Sequence, residues 1–360
     1  MSLRELRRRV GRLAIVGFAG HSVPDTLRQL AAEFDLAGVI YFARNVGEPK
    51  QVAELSREVS ALATDWPLWV SVDQEGGRVA RLKAPFTEWP PAVTLGRSGD
   101  PGLAERFAAA LAAELRAVGI NLDYAPVLDV HTNPSNPVIG DRALAERAED
   151  VARLGTVIVE TLQAAGVAAS AKHFPGHGDT SVDSHDAMPV VEHDRRRLEA
   201  VELRPFRAAI EAGVATVMTA HVVVPALDPD QPASLSSIIV SGLLKETMQF
   251  DGVVLSDDLG MKAVSATTGL AEAAVGAIRA GCDAVLLCNS TVDEQAAALE
   301  ALIYAAESGA LPLTRVEDAF RRQLDAKSRF RDEAGQPGVS LECVGSLEHR
   351  AIAEEMAGWQ

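Results

Sequence analysis

Eight short apolar runs, alternating with segments of helical periodicity, restrict the fold of this sequence more than any other feature. Most of these runs are continuously apolar, which is typical of parallel strands that are covered on both faces. The predicted strands are 13–18, 37–42, 68–72, 121–130, 167–171, 214–218, 252–255 and 283–287. The predicted helices are 24–34, 49–63, 101–118, 145–165, 195–212, 241–248, 270–280, 293–308 and 314–330. This count and alternation predict an α/β fold, a (β/α)₈ barrel, rather than a doubly wound sheet.

Residues 1–330 are predicted to form this barrel as a single domain, because no linker and no internal repeat interrupts them. The last part of the chain, 331–360, is predicted to be an irregular tail packed at the edge of the domain. A basic stretch at 4–12 and an apolar stretch at 13–20 resemble a weak signal peptide. Since the apolar stretch is short and no small-residue cleavage site follows it, we expect a short helix that leads into the first strand. No run is long enough to span a bilayer.

The charge and cysteine content restrict the kind of partner and compartment. The net charge of −16 argues against a nucleic acid or an anionic membrane as the main partner, and it is compatible with a small uncharged substrate. The three cysteines, Cys282, Cys288 and Cys343, are an odd number and form no CxxC pair. We interpret them as free thiols in a reducing compartment.

Polar side chains stand at or just after the C-terminal ends of several predicted strands. These residues are Asp73, Asp123, Lys172, His221 and Asp257. In a (β/α)₈ barrel such positions converge on one face, where barrel enzymes have their active sites. Each basic residue near them could instead form a structural salt bridge. Together on one face, Asp73, Arg78, Arg81, Arg142 and Lys172 suit a ligand rich in hydroxyl groups or bearing a carboxylate.

The loop from Lys172 to His185, KHFPGHGDTSVDSH, carries three histidines and two aspartates. Its Asp183 and His185 are two residues apart, and a carboxylate beside an imidazole can fix the tautomer and stabilise the protonated ring. The pair His173 and His177 is split by a proline and a glycine, so the two histidines are not expected to share a helix face. A metal cluster in this loop remains an alternative, but hydrogen-bonding roles are favoured and no metal is predicted.

Two adjacent acids, Asp257 and Asp258, follow the predicted strand 252–255. One of them could serve as a helix N-cap, since aspartate accepts hydrogen bonds from free backbone N–H groups. Two acids at the end of a buried strand exceed what capping requires. The sequence therefore predicts a catalytic role for one of them.

These segments resemble bacterial β-N-acetylhexosaminidases of glycoside hydrolase family 3. KHFPGHGDTSVDSH is similar to the signature loop of that family, and LSDDLGM, at 255–261, is similar to its nucleophile segment. VDQEGGRVAR at 72–81, NPVIGDR at 136–142 and MTAHVVVPALDP at 218–229 match other blocks in the expected order. The resemblance covers about 13–330.

The resemblance implies a barrel with a retaining, two-step mechanism and no cofactor. It implies that Asp257 is the nucleophile and that His185, paired with Asp183, is the acid/base, in place of the second carboxylate of other retaining glycosidases. Binding of a terminal N-acetylglucosamine is implied for Asp73, Arg81, Arg142, Lys172 and His173. The implied role is cytoplasmic cell-wall recycling, with N-acetylglucosamine released from muropeptide fragments. The run Ala143-Leu144-Ala145 departs from the Ser-Phe-Gly usual in such enzymes.

Three other interpretations remain open at the level of sequence. In substrate-assisted cleavage, the 2-acetamido group of the sugar would attack, and Asp257 and Asp258 would orient it. A metal-dependent hydrolase would use the histidine-rich loop, and a non-catalytic barrel would only bind sugar. The sequence does not determine the aglycone, the oligomeric state, or whether phosphate replaces water as the acceptor.

Overall fold

The computed structural model describes residues 2–63, 66–181, 188–330 and 339–360. Eight parallel strands form a closed barrel: β1 (Ala14–Gly17), β2 (Gly38–Tyr41), β3 (Trp69–Val72), β4 (Leu122–Asp123), β5 (Ala168–Phe174), β6 (Thr216–Thr219), β7 (Val253–Asp258) and β8 (Ala284–Leu287). Each strand pairs with its neighbours in chain order, and β8 pairs with β1 to close the barrel. The prediction of a (β/α)₈ barrel is confirmed.

Helices surround this barrel. They are α1 (Leu3–Gly11), α2 (Asp25–Phe34), α3 (Pro49–Ser60), α4 (Val93–Ser98), α5 (Pro101–Ala117), α6 (Ala148–Ala164), α7 (Arg195–Ala200), α8 (Arg204–Glu211), α9 (Lys262–Ser265), α10 (Leu270–Ala280), α11 (Val292–Glu307), α12 (Leu313–Arg329) and α13 (Leu347–Ala357). A π-helix spans Ile238–Thr247, and short 3₁₀ turns span Ala43–Asn45, Gly140–Arg142, Ala233–Leu235 and Leu341–Cys343. Two hairpins project from the barrel, Gln74–Gly76 with Val79–Ala80 and Val223–Val224 with Asp228–Pro232. None of the described helices is long and apolar enough to cross a membrane.

Two predicted elements are interrupted at a proline. The single helix predicted over 195–212 is two helices, α7 and α8, and Pro205 lies in the first turn of α8, where its missing N–H has no helical acceptor. The strand predicted over 121–130 is reduced to Leu122–Asp123. Pro126 cannot donate to a strand ladder. Beyond Asp123 the chain stays beside β5 through single backbone hydrogen bonds, such as the one from the Ser170 N–H to the Ala125 carbonyl oxygen at 2.9 Å, and through a bridge between Val127 and Lys172.

Two other strands run further than predicted. β5 continues to Phe174 and β7 continues to Asp258, beyond the apolar runs that identified them. Lys172, His173 and Asp257 therefore stand on the strands themselves rather than in the following loops. A position within a hydrogen-bonded strand fixes a functional side chain more rigidly than a loop does.

The predicted irregular structure of the last part of the chain is wrong over α13, which packs against α5. The buried carboxylate of Glu114, on α5, holds this helix in place. It accepts hydrogen bonds from the backbone N–H of Thr87 at 3.0 Å and of Gly345 at 3.0 Å, and it contacts Nδ1 of His349 at 2.9 Å. One carboxylate thus joins the barrel, the 84–91 loop and the C-terminal segment.

Replacement of Glu114 by alanine is expected to lower the free energy of unfolding by about 3 kcal/mol, because several buried donors lose their acceptor. The matched control is Glu355→Ala, which removes an exposed ion pair with Arg106 and is expected to cost at most about 0.5 kcal/mol. Urea denaturation followed by circular dichroism measures both. Equal losses in the two variants would show that Glu114 does not fasten the C-terminal segment.

Candidate active site

A cavity of about 260 Å³ lies at the C-terminal ends of the barrel strands, on the face predicted from the sequence. Its walls come from β2, β3, β6, β7, β8 and the residues that follow them. Asp73, Arg81 and Asp257 line it together with the apolar ring of Phe42 and the amide of Asn289. The cavity therefore combines the Asp257 carboxylate, the Asp73–Arg81 ion pair and the Phe42 ring, which suits a polar ligand with one apolar face.

Asp257 stands near the end of β7, which is held on both sides by β6 and β8. Among the described residues its carboxylate has one hydrogen bond, in which Oδ1 accepts from the backbone N–H of Asp258 at 2.8 Å. Burial raises the pKa of Asp257, but the neighbouring His221, His173 and Lys172 outweigh burial, so the pKa lies below the ordinary value for aspartate. Asp257 is therefore an ionised carboxylate with an oxygen available to a ligand.

Asp258 has a different environment, although it is the next residue. Its Oδ1 accepts from the backbone N–H groups of Gly260 at 3.1 Å and Cys288 at 3.0 Å, and its Oδ2 accepts from the Asn289 amide at 3.1 Å. Burial raises the pKa of Asp258. The alternative role of accepting hydrogen bonds from free backbone N–H groups therefore applies to Asp258. Its carboxylate does not cap a helix but fastens the turn after β7 to the residues that follow β8.

His221, just after β6, supports the same strand end. Its Nδ1 lies 2.7 Å from the hydroxyl oxygen of Ser234, and its Nε2 lies 3.0 Å from the backbone carbonyl oxygen of Asp258, to which it can donate. Burial lowers the pKa of His221, which favours the neutral ring. The histidine thus fixes the peptide that follows Asp257.

Lys172 links two carboxylates beside the cavity. Its ammonium nitrogen lies 2.8 Å from Oδ1 of Asp73 and 2.6 Å from Oε1 of Glu75, and its side chain is almost fully buried. Asp73 also pairs with Arg81 at 3.3 Å, and these two side chains retain access to solvent. Burial lowers the pKa of Lys172, but Asp73 and Glu75 outweigh it and raise the pKa above the ordinary value. The lysine is therefore a fixed positive charge beneath the ligand cavity.

Glu75 continues this network to Arg142. The guanidinium donates through Nε and NH2 to the two carboxylate oxygens of Glu75, each at 2.8 Å. Burial alone would raise the pKa of Glu75, but Arg142 and Lys172 lower it well below the ordinary value. No role was predicted for Glu75 from the sequence, although it lies in the same VDQEGGRVAR block as Asp73 and Arg81.

Arg78, a further basic residue of that block, pairs instead with Asp141 at 3.1 Å, outside the cavity.

His173 joins the other end of the network. Its Nε2 lies 3.4 Å from NH2 of Arg142, and its Nδ1 lies 2.7 Å from Oδ2 of Asp129, which is completely buried. No role was predicted for Asp129 from the sequence. The only signal was its place as the last acid in the NLDYAPVLDV run, before the polar loop. The chain of contacts from Arg81 to Asp129 gathers all five predicted sugar-binding residues, Asp73, Arg81, Arg142, Lys172 and His173.

Asp123, also predicted on this face, supports the hairpin that carries Glu75. It is completely buried and accepts a hydrogen bond from the backbone N–H of Gln74 at 2.9 Å. Burial raises the pKa of Asp123 well above the ordinary value. This residue has no contact with the cavity and positions the hairpin.

The central loop is held against the residues that follow β4. A Cβ atom on Gly178 would lie 1.9 Å from the carbonyl oxygen of Val130, so only glycine permits this approach. His177 contacts the hydroxyl of Thr180 at 2.6 Å, and burial lowers the pKa of His177 to about 4. The predicted catalytic pair Asp183 and His185 lies outside the described residues, since the description stops at 181 and resumes at 188.

No group of three metal-binding side chains occurs in the described ranges. A larger cavity of about 670 Å³ lies between the 84–91 loop and α13, and none of the predicted site residues lines it. The candidate active site is therefore the smaller cavity, which is lined by the ionised carboxylate of Asp257 and the paired charges of Asp73 and Arg81.

Comparison with known proteins shows what the chain as a whole is similar to. The family described as "Glycosyl hydrolase family 3 N terminal domain" matches residues 5–326. A β-hexosaminidase from Nitrosomonas eutropha is 36% identical over 326 residues, which is 88% of this chain and 93% of that protein. A solved glycoside hydrolase family 3 β-N-acetylglucosaminidase from Paenibacillus sp. FPU-7 is 44% identical with a TM-score of 0.93, covering 100% of this chain and 69% of that one. NagZ from Neisseria gonorrhoeae, solved with N-trifluoroacetyl-D-glucosamine, is 32% identical with a TM-score of 0.79, covering 96% and 97%.

Proposed function

This chain belongs to glycosyl hydrolase family 3, and we propose that it is a retaining β-N-acetylglucosaminidase that forms a covalent glycosyl-aspartate intermediate. The observation that carries the proposal is the contrast between two adjacent acids. Asp257 is ionised and has an oxygen available at the cavity, whereas both oxygens of Asp258 are occupied by hydrogen bonds. A nucleophile needs the first environment and not the second.

In the first step the Asp257 carboxylate attacks the anomeric carbon, and the bond from that carbon to the leaving oxygen breaks. The leaving oxygen takes a proton from His185, so the aglycone departs as a neutral alcohol. Asp183 orients the imidazole and stabilises its charged form. In the second step neutral His185 removes a proton from water, which attacks the same carbon from the side the aglycone left. The bond to Asp257 breaks, and the sugar is released with its original anomeric configuration.

The binding of the terminal sugar is assigned to the network beside Asp257. Asp73 and Arg81 line the cavity and present an acceptor and a donor to hydroxyl groups. Lys172 and Arg142 hold Asp73 and Glu75 as carboxylates, and His173 contacts Arg142. Because each charged group is paired before the ligand arrives, little reorganisation is needed when hydroxyl groups replace water.

N-acetylglucosamine is the proposed terminal sugar, and muropeptide fragments in the cytoplasm are the proposed natural source. Support for the sugar comes from the relatives, which are named as β-hexosaminidases and β-N-acetylglucosaminidases and include one solved with an N-acylated glucosamine. The net charge of −16 disfavours polyanionic partners such as nucleic acids.

Aryl N-acetyl-β-glucosaminide is expected to be cleaved at least about 100-fold faster, in kcat/KM, than the matching β-glucoside, because the glucoside leaves the contacts to the acetamido group unmade. The two substrates share the same leaving group, so the ratio reports the sugar alone. The assay is run with and without a chelator. Equal rates for the two sugars would refute the substrate assignment, and a loss of activity that zinc restores would favour the metal-dependent alternative.

A further inference from the structure

The buried carboxylate of Asp129 receives more donors than a single ion pair would supply. Its Oδ1 accepts from the backbone N–H of His177 at 2.6 Å, and both oxygens lie 3.3 Å from the backbone nitrogen of His173. Its Oδ2 lies 2.7 Å from Nδ1 of the same histidine. A carboxylate can only accept, so this contact requires the hydrogen on Nδ1.

The other ring nitrogen of His173 faces a donor. NH2 of Arg142 lies 3.4 Å from Nε2, and a guanidinium can only donate and keeps its charge. A hydrogen on Nε2 would point at that donor, and a doubly protonated ring would place a second positive charge beside Arg142. Asp129 therefore selects a hydrogen on Nδ1 and Arg142 selects an unprotonated Nε2, and together they give the neutral ring with its hydrogen on Nδ1.

We propose that Asp129 is a positioning residue that holds His173 in the neutral Nδ1–H tautomer, so that the Nε2 lone pair accepts from Arg142 and orients this guanidinium, which is assigned to sugar binding. His173 stands on β5. The inference rests on the proposed function, since it assigns Arg142 to the sugar.

The tautomer is measurable without catalysis. Isotope-edited NMR of the imidazole nitrogens distinguishes a protonated nitrogen from one with a free lone pair, and His173→Gln identifies the signals of this ring. The wild-type protein at neutral pH is expected to show a protonated Nδ1 and an unprotonated Nε2. A protonated Nε2, or a doubly protonated ring, would overturn the proposal without the need for any further variant.

Asp129→Asn tests the consequence. The asparagine oxygen can still accept from the backbone N–H of His177, but the amide nitrogen now faces Nδ1 and donates to it. The hydrogen is expected to move to Nε2, and kcat/KM for the aryl N-acetyl-β-glucosaminide is expected to fall roughly 10- to 100-fold, mainly through KM. Asp141→Asn, which alters a half-exposed carboxylate paired with Arg78, is the matched control and is expected to change neither the spectrum nor the kinetics.

The outcomes separate this inference from the proposed function. A shifted tautomer with unchanged kinetics would show that Asp129 does not position a sugar-binding group. Absence of hydrolysis in the wild-type protein would refute the proposed function, whereas the wild-type spectrum would still decide the Asp129–His173 assignment.

Discussion

Asp257→Ala is expected to lower kcat for aryl N-acetyl-β-glucosaminides by at least about 10⁴-fold, because it removes the carboxylate proposed to attack the anomeric carbon. The neighbouring Asp258 does not substitute, since its oxygens bind Gly260, Cys288 and Asn289. The matched control is Asp251→Ala, at an exposed aspartate two residues before the same strand, which is expected to retain wild-type rates.

Azide distinguishes loss of the nucleophile from loss of folding. In Asp257→Ala the small anion can enter the space left by the carboxylate and attack from that side, so it is expected to restore turnover and form the α-glycosyl azide. The product anomer is read by NMR. Formation of the β-glycosyl azide, or no rescue in a variant whose unfolding curve is normal, would contradict the assignment of Asp257 as nucleophile.

A fluorinated N-acetylglucosaminyl inactivator provides the complementary test with the wild-type protein. The intermediate is expected to accumulate, and peptide mass spectrometry should find the sugar on Asp257. In Asp258→Asn the label should remain on Asp257. Label on Asp258 would reverse the two roles, and inactivation without any protein-bound sugar would favour substrate-assisted attack by the acetamido group.

His185→Ala is expected to have the second largest effect, and the size of that effect should depend on the leaving group. General acid assistance is worth roughly 10²–10⁴-fold when the leaving oxygen is a poor leaving group, such as a sugar hydroxyl. A nitrophenolate departs without a proton, so kcat/KM for that substrate should be nearly preserved. The measurement is kcat/KM across a series of aryl leaving groups and one disaccharide. A uniform loss across the series would make His185 a binding residue.

The same variant also loses the base of the second step. The glycosyl-enzyme is therefore expected to accumulate with activated substrates, and azide, which needs no base, should speed its breakdown and yield the β-glycosyl azide. Asp183→Ala retains the imidazole and should show a milder form of the same pattern. The opposite anomers expected from Asp257→Ala and His185→Ala place the two residues on opposite faces of the sugar.

The barrel could be predicted from the sequence because strands and helices that are buried against each other leave local signals. Short, mostly apolar runs identified all eight strands, and the predicted helix 270–280 matches α10 in both bounds. The predictions differed where one residue changed the local hydrogen bonding, as Pro205 and Pro126 did. They also differed where a strand continued into polar residues, as β5 and β7 did.

The site could be predicted only in part. Residue type and position after an apolar run identified Asp73, Lys172 and Asp257 as members of one face. The run did not show which of two adjacent acids has an oxygen available, because that depends on Cys288 and Asn289, which follow a different strand. The roles of the catalytic and sugar-binding residues remain proposals that the experiments above decide.

The sequence by itself determined the fold class, the active face and the residue types gathered there, since each depends on the order of residues along one segment. Only the tertiary structure decided the partners. Arg142 meets Glu75 across 67 residues of chain, and His173 meets Asp129 across 44. Such pairs leave no periodic signal, because a charge or hydrogen-bond contact requires two atoms at the right distance in space, and closing the barrel brings them together.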